Sequence, residues 1–207
     1  MVDIHREKKE GRALKLLLIC DRADISEKLT SVLAAWAETQ PEKTARVYTA
    51  SSSVEGRTLA QDHDCDVILL YSPLEGALGD EPAVQLSRLT GASVVVITPE
   101  KVAPQMREKL AGKGVLLATT PLRKHEFFST LTAGVVLSQR TRGLQEENER
   151  LRAKLSEQKT VEHAKLLLVE CLKLSEEQAH KYIEREAMEL RESRVEVARR
   201  IISTYQS

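Results

Sequence analysis

Aromatic side chains are scarce in this chain: two Phe, one Trp and four Tyr, 3% of 207 residues. Charge of a single sign is missing as well, because 31 Lys and Arg balance 31 Asp and Glu. Neither rings nor net charge therefore mark the whole chain as a binder of polyanions, and the stretch after Ser138 carries about as many acids as bases. Any contact with an anionic partner has to come from a local patch. Cysteine is nearly absent. Cys20, Cys65 and Cys171 are far apart and set in apolar surroundings, so they read as reduced core thiols and not as a disulfide framework or a metal site. No apolar run approaches the roughly 18 residues that span a bilayer, and the start, MVDIHREKKEGRA, is charged. A soluble, cytoplasmic protein without membrane contact is expected. A glycine-rich phosphate loop is lacking too, and His63, His125, His163 and His180 are scattered. No catalytic residue, metal or cofactor is expected, which argues against an enzyme.

What is present falls into two parts, as the length allows. Leu14 to Cys20, Val67 to Tyr71 and Ser93 to Thr98 are short, almost unbroken apolar runs, the form of parallel strands buried on both faces. Weaker strands are expected at Ala45 to Tyr48 and Val115 to Ala118. Helical stretches alternate with them at Ile25 to Ala37, Ser53 to Gln61, Val84 to Leu89 and Gln105 to Leu110. Five β-α units predict an α/β fold, a flavodoxin-like doubly wound parallel sheet of five strands, over residues 13–126. Residues 1–12 form a charged extension before it.

Chemistry in such a fold sits at the carboxyl ends of the strands, here Asp21-Arg22, Tyr71, Thr98 and Thr120-Pro121. LLIC-Asp21-Arg22, DVILLY-Ser72-Pro73, VVVIT and Thr120-Pro121 together resemble a response-regulator receiver domain. The resemblance implies an acceptor aspartate after the third strand, an acid pair after the first to hold Mg²⁺, and a lysine before the proline. Those places hold Tyr71, Arg22 beside the single acid Asp21, and Thr120; Thr98 is retained. The site reads as a degenerate, non-phosphorylatable pseudo-receiver. Arg22 either takes the place of the metal by pairing with Asp21 or points into solvent. Asp24 reads as the cap of the first helix.

From Phe127 to Lys159 no proline interrupts the chain, so residues 127–160 are expected as one long linker helix. Leu137, Leu144 and Leu151 are seven apart; taken as d positions they put Thr141, Asn148 and Leu155 at a. A single Asn at a favours a two-stranded parallel register, so Leu137, Leu144, Asn148, Leu151 and Leu155 form the expected seam of a homodimeric coiled coil. The heptads are few, and a lone signalling helix is the other reading.

Residues 161–207 read as three short amphipathic helices. Ser175-Glu176-Glu177-Gln178 and Ser193-Arg194-Val195-Glu196 are serine capping boxes, each expected to start a helix. Ala164-Lys165, then Ser175, Glu177, Ala179, His180, Tyr182 and Ile183, then Ala187, Met188 and Arg191, then Val197, Ala198, Ile201 and Ile202 together resemble the ANTAR domain of bacterial transcription antiterminators. Leu166 and Arg194 depart from that pattern, the first replacing a usual glycine and the second an apolar residue. The resemblance implies an all-α three-helix module that binds stem-loops of a leader transcript, behind a receiver and a coiled linker. Lys165, Lys181, Arg185 and Arg191 are the expected phosphate contacts. Tyr182 either stacks a loop base or packs in the core. A regulatory protein on the pseudo-receiver is the expected source of control. The alternative is a phosphorylation-independent adaptor in a signalling pathway, both of whose parts bind proteins.

Overall fold

The computed structural model describes residues 13–40 and 45–205, so the charged extension expected at residues 1–12 lies outside the described residues. The chain divides into two compact units between Arg142 and Gly143. In the first unit β1 (Leu14–Ile19), β2 (Ala45–Ala50), β3 (Val67–Tyr71), β4 (Ser93–Pro99) and β5 (Val115–Thr120) form one parallel sheet in the order β2-β1-β3-β4-β5. Helices α1 (Ala23–Ala37), α2 (Ser53–Asp62), α3 (Asp80–Leu89), α4 (Ala103–Leu110) and the start of α5 (Lys124–Leu172) connect and cover it. This is the flavodoxin-like order, with the crevice of the fold at the β1/β3 switch point.

Strand composition follows position in the sheet. The central strands β1, β3 and β4 are buried along almost their whole length, and their odd and even residues feed two different cores. Leu16, Leu18, Val67, Leu69, Val95 and Ile97 pack with Leu33 and Trp36 of α1 and Phe127, Leu131 and Val135 of α5. Leu17, Ile19, Ile68, Leu70, Val94 and Val96 pack with Ala60, Ala83, Leu86, Met106 and Leu110 on the other face. Every second residue needs an apolar neighbour on each side, which is why these strands are nearly continuous aliphatic runs. The two edge strands, half-buried, carry Arg46, Thr49, Thr119 and Thr120. The Trp36 indole N–H donates to Thr132 Oγ1 at 3.3 Å, tying α1 to α5.

The second unit contains the remainder of α5 with α6 (Glu176–Leu190) and α7 (Arg194–Tyr205). Here the expectation of three short helices is corrected. The first of them is the tail of α5, which runs unbroken from Lys124 to Leu172 because no proline or capping residue stops it near residue 160. Both capping boxes form. Ser175 N–H donates to Gln178 Oε1 at 2.8 Å while Gln178 N–H donates to Ser175 Oγ at 3.2 Å. Ser193 and Glu196 make the same reciprocal pair at 2.7 and 3.2 Å. The core of this unit is built largely of alanine: Ala164, Ala179, Ala187 and Ala198 are buried with Leu168, Ile183, Val197 and Ile201. Small side chains allow the helix axes to approach closely, so the alanine identities are a packing requirement. Leu166, the bulky replacement for a glycine, is 59% exposed and meets no obstacle.

Cysteine placement corrects another expectation. Cys20 and Cys65 are buried, but Cys171 lies on an exposed side of α5. No helix of the described residues is long and apolar enough to cross a membrane.

Candidate functional site

The strand ends of the first unit converge as the fold requires, and a loop laces across them. The Asp21 carboxylate, just past β1, accepts the backbone N–H of Glu75 at 2.7 Å. Glu75 follows β3 and holds a left-handed backbone with φ 52°. Its own carboxylate accepts the Ser53 N–H at 2.9 Å, at the first residue of α2. Those bonds, first from the Ser53 backbone and then from the Ser53 side chain, hold the Glu75 carboxyl below its ordinary range. Asp21 and Glu75 are thus engaged in holding the loop after β3 against β1 and α2.

Arg22 does not pair with Asp21. Its guanidinium Nη2 lies 3.1 Å from Asp24 Oδ2, on the surface. The expected cap is corrected with it: Arg22 is the N-cap residue of α1 with no side-chain capping bond, and Asp24 lies in the first turn. The Asp21 carboxylate instead takes the backbone N–H of the facing loop, at Glu75. Tyr71 ends β3 half-buried, packed against the core shared with α1 and α5. Thr98 is fully buried within β4, and neither its hydroxyl nor that of buried Ser72 has a hydrogen-bond partner in the protein. Thr120 closes β5 half-buried, followed by a cis bond to Pro121. The structure therefore brings Asp21 and the strand ends into one region but supplies no carboxylate at Tyr71 and no ammonium at Thr120. Among the described residues no group of three or more His, Cys, Asp or Glu side chains could hold a metal ion.

In the second unit the five residues expected to meet RNA separate by environment. Lys165 is only 12% exposed at its side chain, with its ammonium 2.8 Å from Glu162 and 3.9 Å from Glu176. Lys181 and Arg185 share an exposed face of α6 and carry i,i+4 partners, Glu177 at 2.6 Å and Glu189 at 3.7 Å. Surface pairs of this kind are worth little, about 0.3–0.5 kcal/mol, and are easily exchanged for a phosphate. Tyr182 is half-buried against the alanine core, with Arg185 over its ring at 5.6 Å. Arg191 is exposed and has no ion pair among the described residues. It closes α6 in the left-handed region, φ 54°, with its N–H directed at Ala187 and Met188 carbonyls. Glycine is the residue this position favours. The other departure from the family pattern, Arg194, is also exposed and binds Glu184 at 3.2 Å.

The heptad residues Leu137, Leu144, Leu151 and Leu155 are exposed along α5, and Asn148 lies among them. Sequence reasoning missed Arg142, five residues beyond Leu137. Its guanidinium reaches the Asp66 carboxylate, the Cys65 carbonyl and, at 2.9 Å, Asp64. Nothing in the local sequence, Ser138-Gln139-Arg140-Thr141-Arg142-Gly143, distinguishes it from the neighbouring Arg140.

These features define a receiver-type fold followed by a helical unit of ANTAR type. Residues 149–202 match the ANTAR domain family. The chain is 29% identical over 126 residues to the aliphatic amidase regulator of Pseudomonas aeruginosa PAO1, a match covering 59% of this chain and 63% of that protein. The chain thus spans less than two thirds of that relative. Over 64% of this chain the fold is similar to the signal receiver domain of an HD domain-containing protein from Pseudomonas fluorescens Pf-5, of which 94% is covered, with TM-score 0.55 and 14% identity. The CheY-like receiver domain protein of Methanospirillum hungatei JF-1 is similar at TM-score 0.53 and 13% identity, covering 62% and 98%.

Proposed function

We propose that this protein is a transcription antiterminator whose C-terminal unit binds hairpin loops in nascent leader RNA, and whose receiver fold acts without being phosphorylated. The observation that carries the reading is the ANTAR match over residues 149–202, which spans the tail of α5, all of α6 and most of α7. Arg191 supports it from the structure. A non-glycine residue in the left-handed region costs roughly 1–2 kcal/mol, and such strain tends to sit where a side chain is needed for function. Lys181, Arg185 and Arg191 are the contacts to phosphate, and Tyr182 supports the Arg185 guanidinium by its ring face. Lys165, paired with Glu162 and near Glu176, is the least accessible of the four basic residues and contributes to RNA contact less directly than Lys181, Arg185 and Arg191.

The exposed leucine stripe supports a homodimer through α5. Two output units on one dimer then bind paired hairpins with high effective concentration. Tyr71 and Thr120 support the absence of phosphoryl chemistry, and Asp21 and Glu75, occupied by backbone donors, support a receiver held in a single state. Control then comes from abundance or from a protein that docks on the receiver.

Electrophoretic mobility shift on a leader RNA with paired short hairpins tests the RNA reading. Salt-sensitive binding without any phosphodonor is expected, lost in a Lys181→Ala/Arg191→Ala double variant; no binding at low salt would overturn it. Incubation with acetyl phosphate followed by intact mass spectrometry is expected to show no acyl phosphate.

A further inference from the structure

Arg142 is the last buried anchor of α5. Val135, Ser138 and Arg142 recur at helical spacing on the face turned to the sheet, whereas residues 143–159 are all exposed. The guanidinium is 17% exposed and its partner Asp66 6%. Asp66 is in turn built into the amino-terminal edge of the sheet. Its second carboxylate oxygen accepts the Lys15 N–H at 2.8 Å, its N–H donates to the Lys15 carbonyl at 2.7 Å, and its carbonyl accepts the Ser93 N–H at 3.1 Å. One guanidinium therefore fastens α5 to the ends of β1, β3 and β4 through a single aspartate. The hydrophobic grip of the helix ends about two turns earlier, at Val135.

The angular position of Arg142 gives this contact a consequence. At about 100° per residue, Leu137 and Leu144 lie roughly 140–160° around the helix from it, and Leu151 about 180°. Holding Arg142 inward turns the leucine stripe outward. An apolar residue at 142 would also bury itself, but it could slide or rotate against the sheet edge. A buried arginine with directed acceptors admits one arrangement, the best attested use of buried ionic groups being to fix register.

We propose that Arg142 is a positioning residue: a latch that holds the last two turns of α5 within the receiver unit and so fixes the face on which the leucine stripe is presented. Its consequence for assembly rests on the reading of that stripe as a dimer seam. The latch itself does not.

The test is hydrogen exchange by mass spectrometry on the full chain, with the dimer dissociation constant measured by sedimentation. Wild type is compared with Arg142→Lys, which keeps the charge but loses the fork, and Arg142→Met, which keeps the bulk. Expected is a loss of protection of tenfold or more confined to residues 136–142 in both variants, with peptides from β3, β4 and residues 127–134 unchanged, and a dimer dissociation constant raised about tenfold. Unchanged protection at 136–142 would overturn the proposal. If Arg142→Met fails to fold, Arg142→Lys decides, because a purely charge-neutralising role for Arg142 would leave its exchange native. A wild-type chain that is monomeric at all concentrations would refute the dimer seam, while the exchange measurement still decides the latch.

Discussion

Ala164→Leu puts the alanine core of the C-terminal unit to a quantitative test. Ala164 is fully buried among Ala179, Ile183 and Ala198, where the tail of α5 packs on α6 and α7. Leu adds three carbons at a fully buried position, and overpacking of this kind costs about 1–3 kcal/mol. A unit of roughly 65 residues has about 3–10 kcal/mol of stability at 0.05–0.15 kcal/mol per residue. The substitution therefore removes a substantial fraction of it. With a urea dependence of about 1 kcal/mol/M for so small a unit, the midpoint falls by about 1–3 M. The chain supplies two separate probes. Trp36, the single tryptophan, is buried in the first unit and reports that unit by fluorescence, while far-UV circular dichroism reports both units. The dichroism transition of the helical unit is expected to move and the Trp36 transition to stay. Leu166→Ala, two residues along on an exposed face, is expected to change neither by more than about 0.5 kcal/mol. An unchanged dichroism midpoint for Ala164→Leu, or an equal shift in the Trp36 signal, would refute the close-packed, separately folded core argued from the alanines.

The remaining expectations follow from single residues. Arg191→Gly relieves the left-handed backbone and should hold or raise stability by up to about 1 kcal/mol while weakening hairpin binding, so opposite signs in a urea titration and a mobility shift are the check. Glu196 is held below its ordinary range by the Ser193 N–H and then the Ser193 hydroxyl. A depressed carboxyl contributes stability that is full above about 4.3 and is lost as pH falls through that value toward the folded one. Amide protection at the start of α7 should therefore drop on acidification below about pH 4, and Glu196→Gln should flatten the profile. Thr98→Val removes a buried hydroxyl that has no partner in the protein, so a stability change within about 1 kcal/mol is expected by thermal melt, and a loss above 2 would assign that hydroxyl a structural role. Cys65 is pushed up to about 11 by burial and then by the neighbouring Asp66 charge. Alkylation at pH 8 followed by peptide mapping should modify exposed Cys171 first, and Cys65 and Cys20 only after unfolding.

The features legible in the sequence are those set by near neighbours. Unbroken aliphatic runs marked β1, β3 and β4 because a strand covered on both faces has no polar side to show. The strand and helix ends moved by a few residues, since the last turn of an element depends on what lies against it. The two serine boxes were readable because each closes its hydrogen bonds within four residues. The alanines at 164, 179, 187 and 198 carried the ANTAR resemblance because helix proximity leaves little choice of side chain at those positions. Tyr71, Arg22 and Thr120 were visible as departures from the receiver pattern for the same reason, each being judged at a known place on its own strand. Partner choice across the fold was decided only by the tertiary structure. Asp21 binds the N–H of Glu75, 54 residues away, and Arg142 reaches Asp66, 76 residues away. Lys165 is mostly buried beside Glu162, and Cys171 faces outward on a helix that the sequence was expected to break near residue 160. A charged or polar side chain carries no record of which of several acceptors will be nearest. Distance and burial settle that, and both exist only once the backbone is in place.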